Sequence, residues 1–129
     1  MAVPTPQRLR FGRAARLKHR RDFIRLREAG ERLATGCLVA NWQRLPADSP
    51  SRLGVITGRR TGTAVVRSRA RRLLREAFRL HQHDLPAPVD LVLVARPSIS
   101  GRGFPEVERD FLTALRRAKL LRPAGSRAP

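Results

Sequence analysis

One segment constrains this chain more than any other. Residues 59–79 read RRTGTAVVRSRARRLLREAFR and hold eight arginines against a single acid, Glu76. At about 100° per residue, a helix over 64–80 sorts these side chains into two faces. Val66, Ala70, Leu73, Leu74 and Ala77 fall on one side, with Phe78 at its edge. Ser68, Arg71, Arg72, Arg75 and Arg79 fall on the other, and Arg67 and Arg69 flank the apolar stripe. Thr63 stands where an N-cap belongs. One face must therefore be buried, while the other presents a row of guanidinium groups roughly one turn apart. Like charges at that spacing repel each other unless an anion lies across them. A phosphate backbone turns the repulsion into attraction and releases counterions. The rival readings are a merely solvated basic face and a calmodulin-target or membrane-surface helix. The first ordinarily mixes Lys with Glu. The second needs the apolar stripe that the core already uses.

Charge elsewhere in the chain agrees. The 129 residues carry 28 Lys+Arg and 10 Asp+Glu, a formal net charge of +18. Residues 1–80 hold 20 basic and 5 acidic side chains, net +15, and residues 81–129 hold 8 and 5, net +3. A compact body so charged repels itself unless a polyanion lies against it, which points to nucleic acid, an anionic membrane or the ribosome. All but two of the basic residues are arginine, whose planar fork grips phosphate bidentately and stacks on bases. Genomic base composition could account for the preference over lysine, but not for the total charge. No run approaches the roughly 18 apolar residues of a membrane span. Residues 1–10 contain no apolar signal-peptide stretch. Cys37 is the sole cysteine and cannot form an internal disulfide. A cytoplasmic protein with no membrane partner is expected.

The remaining pattern predicts a single small α+β domain. A short helix is expected over 20–29, with Phe23 and Leu26 on one face and Gly30 as its stop. Strands are expected over 37–42 and 52–57, close enough in sequence to pair antiparallel, with loop chemistry at 46–50. After the arginine helix, VDLVLVA at 89–95 suits a central strand buried on both faces. Pro105 opens a last helix whose first turns carry Glu106, Glu108 and Asp110 as helix-start charges. The order is α-β-β-α-β-α, a sheet with packed helices containing a βαβ crossover over about 52–95. Residues 1–7 and 122–129 are expected to be disordered tails flanking a domain at 8–121.

These residues carry a resemblance. GTAVVRSRARRLLREAF at 62–78 resembles the RNR signature of the bacterial ribonuclease P protein family. The stretch RLGVITGRR at 52–60 is similar to that family's strand leading into the signature. Arg16, Leu17 and Lys18, followed by Asp22, Phe23 and Gly30, resemble its first helix, and VDLVLVAR at 89–96 resembles its last strand. The likeness covers roughly residues 8–120. The chain departs from the family pattern in carrying Thr63 and Ser68 where Asn is usual. It has Arg27 where the first helix often has a second aromatic. It has Asn41 at a common strand aromatic, with Trp42 one place on, and a one-place shift changes strand face.

The resemblance implies a division of labour. In that family a large RNA is the catalyst and removes the 5′ leader of precursor tRNA by metal-assisted hydrolysis. The protein binds that RNA and holds the single-stranded leader in a cleft between the first helix and the sheet. By position, the face toward the RNA subunit would be Arg67, Ser68, Arg69, Arg71, Arg72 and Arg75. The leader cleft would involve Phe23, Arg27, Arg60 and Asn41. Magnesium would belong to the holoenzyme and be held mainly by RNA. The partners implied are the ribonuclease P RNA subunit and precursor tRNA, with no protein partner. The family's βαβ crossover is left-handed, against the general right-handed preference.

The residues themselves are compatible with this. A single-strand cleft needs an aromatic for stacking and cations along the backbone, and Phe23 between Arg20, Arg21, Arg25 and Arg27 could supply both. Ordinary core packing would suit Phe23 equally well. No protein-borne catalytic set or metal site is expected. His81 and His83 are two apart and diverge on a helix, so a place at the helix C-terminus suits them better than metal ligation. Cys37 lies in an apolar strand and reads as core. Gly54, Gly58 and Gly62 have the wrong spacing for a nucleotide loop. The alternatives are a small basic ribosomal or other structured-RNA-binding protein, and a protein-only nuclease, which would need more acids than the basic segment has.

Overall fold

A computed structural model describes residues 16–121. The tails expected at 1–7 and 122–129, and the start of the domain at 8, lie outside the described residues. Helix α1 spans Arg20–Ala29, followed by strands β1 (Glu31–Thr35), β2 (Leu38–Arg44) and β3 (Arg52–Ile56). Helix α2 (Ala64–His81), strand β4 (Val89–Ala95) and helix α3 (Phe104–Arg117) follow among the described residues. Short 3₁₀ turns at Arg59–Thr61, Gln82–Asp84 and Pro97–Ile99 join them. The architecture is α+β, as expected, with one strand more than the sequence pattern predicts.

The additional strand is β1, which forms a hairpin with β2 in the register Thr35↔Leu38 to Glu31↔Trp42. Gly36 takes the positive φ of 56° that the two-residue connection requires. The sheet order is β1-β2-β4-β3, so β2 and β3 do not form the antiparallel pair expected of them. Strand β4 lies between them, antiparallel to β2 and parallel to β3. The reason is burial. Val89, Leu91, Leu93 and Ala95 need cover on one face while Asp90 and Val92 are buried on the other, so β4 must be central. The parallel β3-α2-β4 unit is the expected βαβ crossover.

Thr63 caps α2 as predicted, its Oγ1 accepting from the Val66 N–H at 3.3 Å. Ala70, Leu74, Ala77 and Phe78 of α2 are buried against Leu91, Leu93 and Trp42 and against Phe111, Ala114 and Leu115 of α3. That is the main core, on one face of the sheet. Helix α1 lies on the opposite face over a much smaller cluster of Leu17, Leu26 and Val92, with Phe23 and Val94 at its margin. Segment 16–17 runs beside β3, with the Leu17 N–H donating to the Leu53 carbonyl at 2.9 Å. No helix among the described residues is long and apolar enough to cross a membrane.

The acids of α3 are more than helix-start charges. Asp110 accepts a hydrogen bond from the Cys37 N–H at 3.0 Å and so ties α3 to the β1–β2 turn. Glu108 lies 2.9 Å from His81 Nε2, whose Nδ1 faces Asp84 at 3.1 Å. Two of the three carboxylates of α3 therefore reach tertiary partners. Only Glu106, paired with Arg102 at 2.9 Å, keeps a local role.

Candidate nucleic-acid interface

Two grooves flank the β3 edge. The first, of about 460 Å³, lies between α1 and the sheet. Its floor is Val39 and Asn41 of β2, Val92 and Val94 of β4 and Ile56 of β3. Alternation along a strand places these residues on one face, and the same alternation sends Trp42 into the main core. Phe23, Ile24 and Leu26 form the α1 wall, and Arg20, Arg27 and Arg32 stand around the rim. Among the described residues these three guanidinium groups have no ion pair or hydrogen bond, and no acid lines the groove. An aromatic edge, aliphatic walls, one amide and a cationic rim can seat a base while holding its backbone phosphates.

Of the cleft residues named from sequence, Phe23, Arg27 and Asn41 come together here. Arg60 does not line the groove and stands exposed in the turn before α2. Arg25, read as one of the cations beside Phe23, instead points under α1 to Asp90 and Gln43. Arg32 was missed, since nothing local marks β1 as a strand whose second residue reaches the groove. Ile24 and Ile56 are large apolar side chains left substantially exposed, and both lie in this groove.

The second groove, of about 320 Å³, runs along α2 and is lined by Ser68, Arg71, Arg72, Arg75, Glu76 and Arg79, with Arg16 from the segment beside β3. Ser68 Oγ accepts from Arg71 Nη2 at 3.1 Å, and Arg71 Nη1 donates to Thr57 Oγ1 at 2.6 Å. The serine thus aims Arg71. Glu76 is engaged by Arg79 at 2.5 and 2.9 Å, and that partner holds its carboxyl below the usual range. Burial, then the neighbouring charges of Arg16 and Arg71, push the Arg75 guanidinium below its ordinary pKa. The two like charges thus add to the cost of burying this group. Arg67 and Arg69 lie outside this groove. Arg67 reaches the Gly62 carbonyl at 3.4 Å, and Arg69 is exposed. Arg16 was missed as a site residue because only the parallel bridge to Leu53 brings it alongside α2.

The family model for ribonuclease P matches residues 11–119. The chain belongs to the ribonuclease P protein family. It is 37% identical over 107 residues to the ribonuclease P protein component of Gluconacetobacter diazotrophicus, covering 82% of this chain and 92% of that one. It is 31% identical over 112 residues to that of Brevibacillus brevis, covering 87% and 89%. The fold is similar to the ribonuclease P protein of Thermotoga maritima, with a TM-score of 0.71 and 31% identity over 79% of this chain and 96% of that one. The chain is therefore the protein subunit of ribonuclease P, a tRNA-processing endoribonuclease, and a partner of its RNA and of precursor tRNA. The long spacing of arginines at 62–78 points to the same family. A generic ribosomal protein has no reason to carry it.

Proposed function

We propose that the two grooves divide the RNA between them. The α1 groove takes the single-stranded 5′ leader of precursor tRNA, through Phe23, Asn41 and the rim of Arg20, Arg27 and Arg32. The α2 face takes the RNA subunit, through Arg67, Ser68, Arg69, Arg71, Arg72 and Arg75. Arg60, exposed in the turn before α2 and outside both grooves, contacts backbone phosphate rather than the leader base. The observation that carries this reading is continuity. Ile56 lines the first groove while Thr57, the next residue, anchors Arg71 of the second. Leu17 packs under α1 while Arg16, its neighbour, lines the α2 groove. A strand leaving the leader groove thus passes directly onto the arginine face.

On this reading the protein positions RNA in the cytoplasm, and bond cleavage belongs to the RNA subunit. Magnesium belongs with that RNA. Among the described residues no three His, Cys, Asp or Glu side chains converge as metal ligands do, so no step is assigned to a protein-held ion. The test is cleavage of precursor tRNA by the RNA subunit at low magnesium, with and without this chain. Stimulation is expected, and it should be greater for substrates with a leader several nucleotides long. No stimulation would overturn the reading.

A further inference from the structure

We propose that Asp90 is a positioning residue for precursor binding, holding α1 at its place over the sheet without itself touching the groove. The proposal rests on the reading of that groove as the leader site. Asp90 faces Gln43 of β2 across one strand pair and Arg52 of β3 across the other, so three polar side chains stand in one row. Asp90 is fully buried. Arg52 grips it as a fork, Nε to Oδ1 at 2.8 Å and Nη2 to Oδ2 at 2.7 Å. From α1, Arg25 donates Nη2 to Oδ2 at 2.6 Å and Nη1 to Gln43 Oε1 at 2.5 Å. Asp22, one turn earlier, lies 3.4 Å from Arg25 and 4.0 Å from Arg52. Burial pushes the Asp90 carboxyl up, but the hydrogen bonds and charges of Arg52 and Arg25 outweigh it and hold the group below its ordinary value.

The same strand alternation continues from this row into the groove floor. Position 90 leads to Val92 and Val94, position 43 to Asn41, and position 52 to Gly54 and Ile56. One sheet face therefore carries the ion cluster at one end and the open groove at the other, and α1 spans both. The apolar cluster beneath α1 is small, so the cluster of Asp90, Arg52, Arg25 and Gln43 fixes where the helix sits. A buried carboxylate left without partners is costly, which makes this seating stringent. Neither Asp90 nor Arg25 lines the groove, so their effect on the leader can pass only through the placement of Phe23 and Arg27.

The experiment uses the full chain reconstituted with the RNA subunit and compares affinity for precursor and mature tRNA. Asp90→Asn and Arg25→Gln should each lose about five- to tenfold of the precursor preference, the scale of lost preorganisation. KM for precursor should rise while kcat holds, and affinity for the RNA subunit should not change. The dependence of precursor affinity on salt should keep its slope, because neither side chain holds a phosphate. Arg25→Gln leaves the Asp90–Arg52 pair in place, so it reports on α1 even where Asp90→Asn folds poorly. An unchanged preference in Arg25→Gln overturns the proposal. So does a slope reduced by about one unit, which would mean that Arg25 contacts RNA directly. Phe23→Ala separates the two readings. If it loses the preference while Arg25→Gln keeps it, only the positioning role fails. If it too keeps the preference, the groove is not the leader site and both fall.

Discussion

The Phe23 ring occupies the space that a side chain at Gly54 would need. A Cβ at position 54 would lie 2.6 Å from Phe23 Cε1, 2.7 Å from its Cζ and 3.3 Å from Leu17 Cβ. The bare backbone of β3 thus shapes the groove wall, because it lets an aromatic on α1 pack directly against the sheet.

Gly54→Ala should therefore act on the ring. The contacted atoms are the far end of the ring, which has the open groove to swing into, so the fold should survive at a cost of about 1–3 kcal/mol, the usual range for overpacking. A thermal melt should show a drop of several degrees. The preference for precursor over mature tRNA should fall in the same direction as in Phe23→Ala, where the loss of base stacking is worth about 1–3 kcal/mol. Assembly with the RNA subunit should be untouched. A variant that melts lower yet keeps its precursor preference would assign Phe23 to packing alone.

Arg72→Ala and Arg75→Ala should weaken holoenzyme assembly. Arg72 is exposed and has no partner among the described residues, and Arg75 is crowded by Arg16 and Arg71. Neither substitution removes an intramolecular ion pair, so stability should hold or rise slightly. Plotting assembly affinity against salt concentration should show the slope reduced by about one unit for each phosphate no longer neutralised. Unchanged assembly and slope would remove both residues from the interface.

Helix α2 could be read from sequence almost completely, because its period fixes both a buried stripe from Ala70 to Phe78 and the arginine row opposite. Strand β4 was readable as central because nearly every position in it is apolar. Strand β1 was not, since Glu31 and Arg32 are exposed polar residues and only the pairing with β2 makes them a strand. Proximity in sequence favours a β2–β3 pair, whereas burial of β4 decides the order. Asp90 stood visibly inside an apolar run. Its partners could not be named, since Arg25 and Arg52 reach it only once α1 lies across the sheet. Asn41 and Trp42 were separable from sequence by alternation alone, and they do take opposite faces.

Stability in acid should depend on Asp90. Its carboxyl is held below the ordinary value of 3.8, so the folded state favours the charged form. The ion cluster then contributes fully above that value and is lost as pH falls through the lower, folded-state value. Acid titration followed by the signal of a probe on α1 should show the helix retained at about pH 4 and released in stronger acid. Asp90→Asn should remove that transition and lower stability at neutral pH by about 3 kcal/mol, as breaking a buried pair does. A helix released at the pH of ordinary carboxylates would show that Asp90 does not hold it.

Cys37 should be inert in the folded protein. It is 1% exposed, and burial, followed by its contact with Asp110, pushes its thiol up to about 12. Alkylation depends on thiolate and on access, and the fold withholds both. Iodoacetamide at about pH 8, near the ordinary thiol range, should leave the native chain unmodified and label it completely in denaturant. Because the folded thiol pKa lies above the unfolded one, this group favours folding fully below the ordinary value of 9.0, and the contribution fades as pH rises toward 12. Cys37→Ala should therefore flatten the loss of stability in base while preserving precursor cleavage at neutral pH. Native labelling at a rate comparable to the denatured chain would show that the β1–β2 turn opens, contrary to the anchoring of its N–H by Asp110.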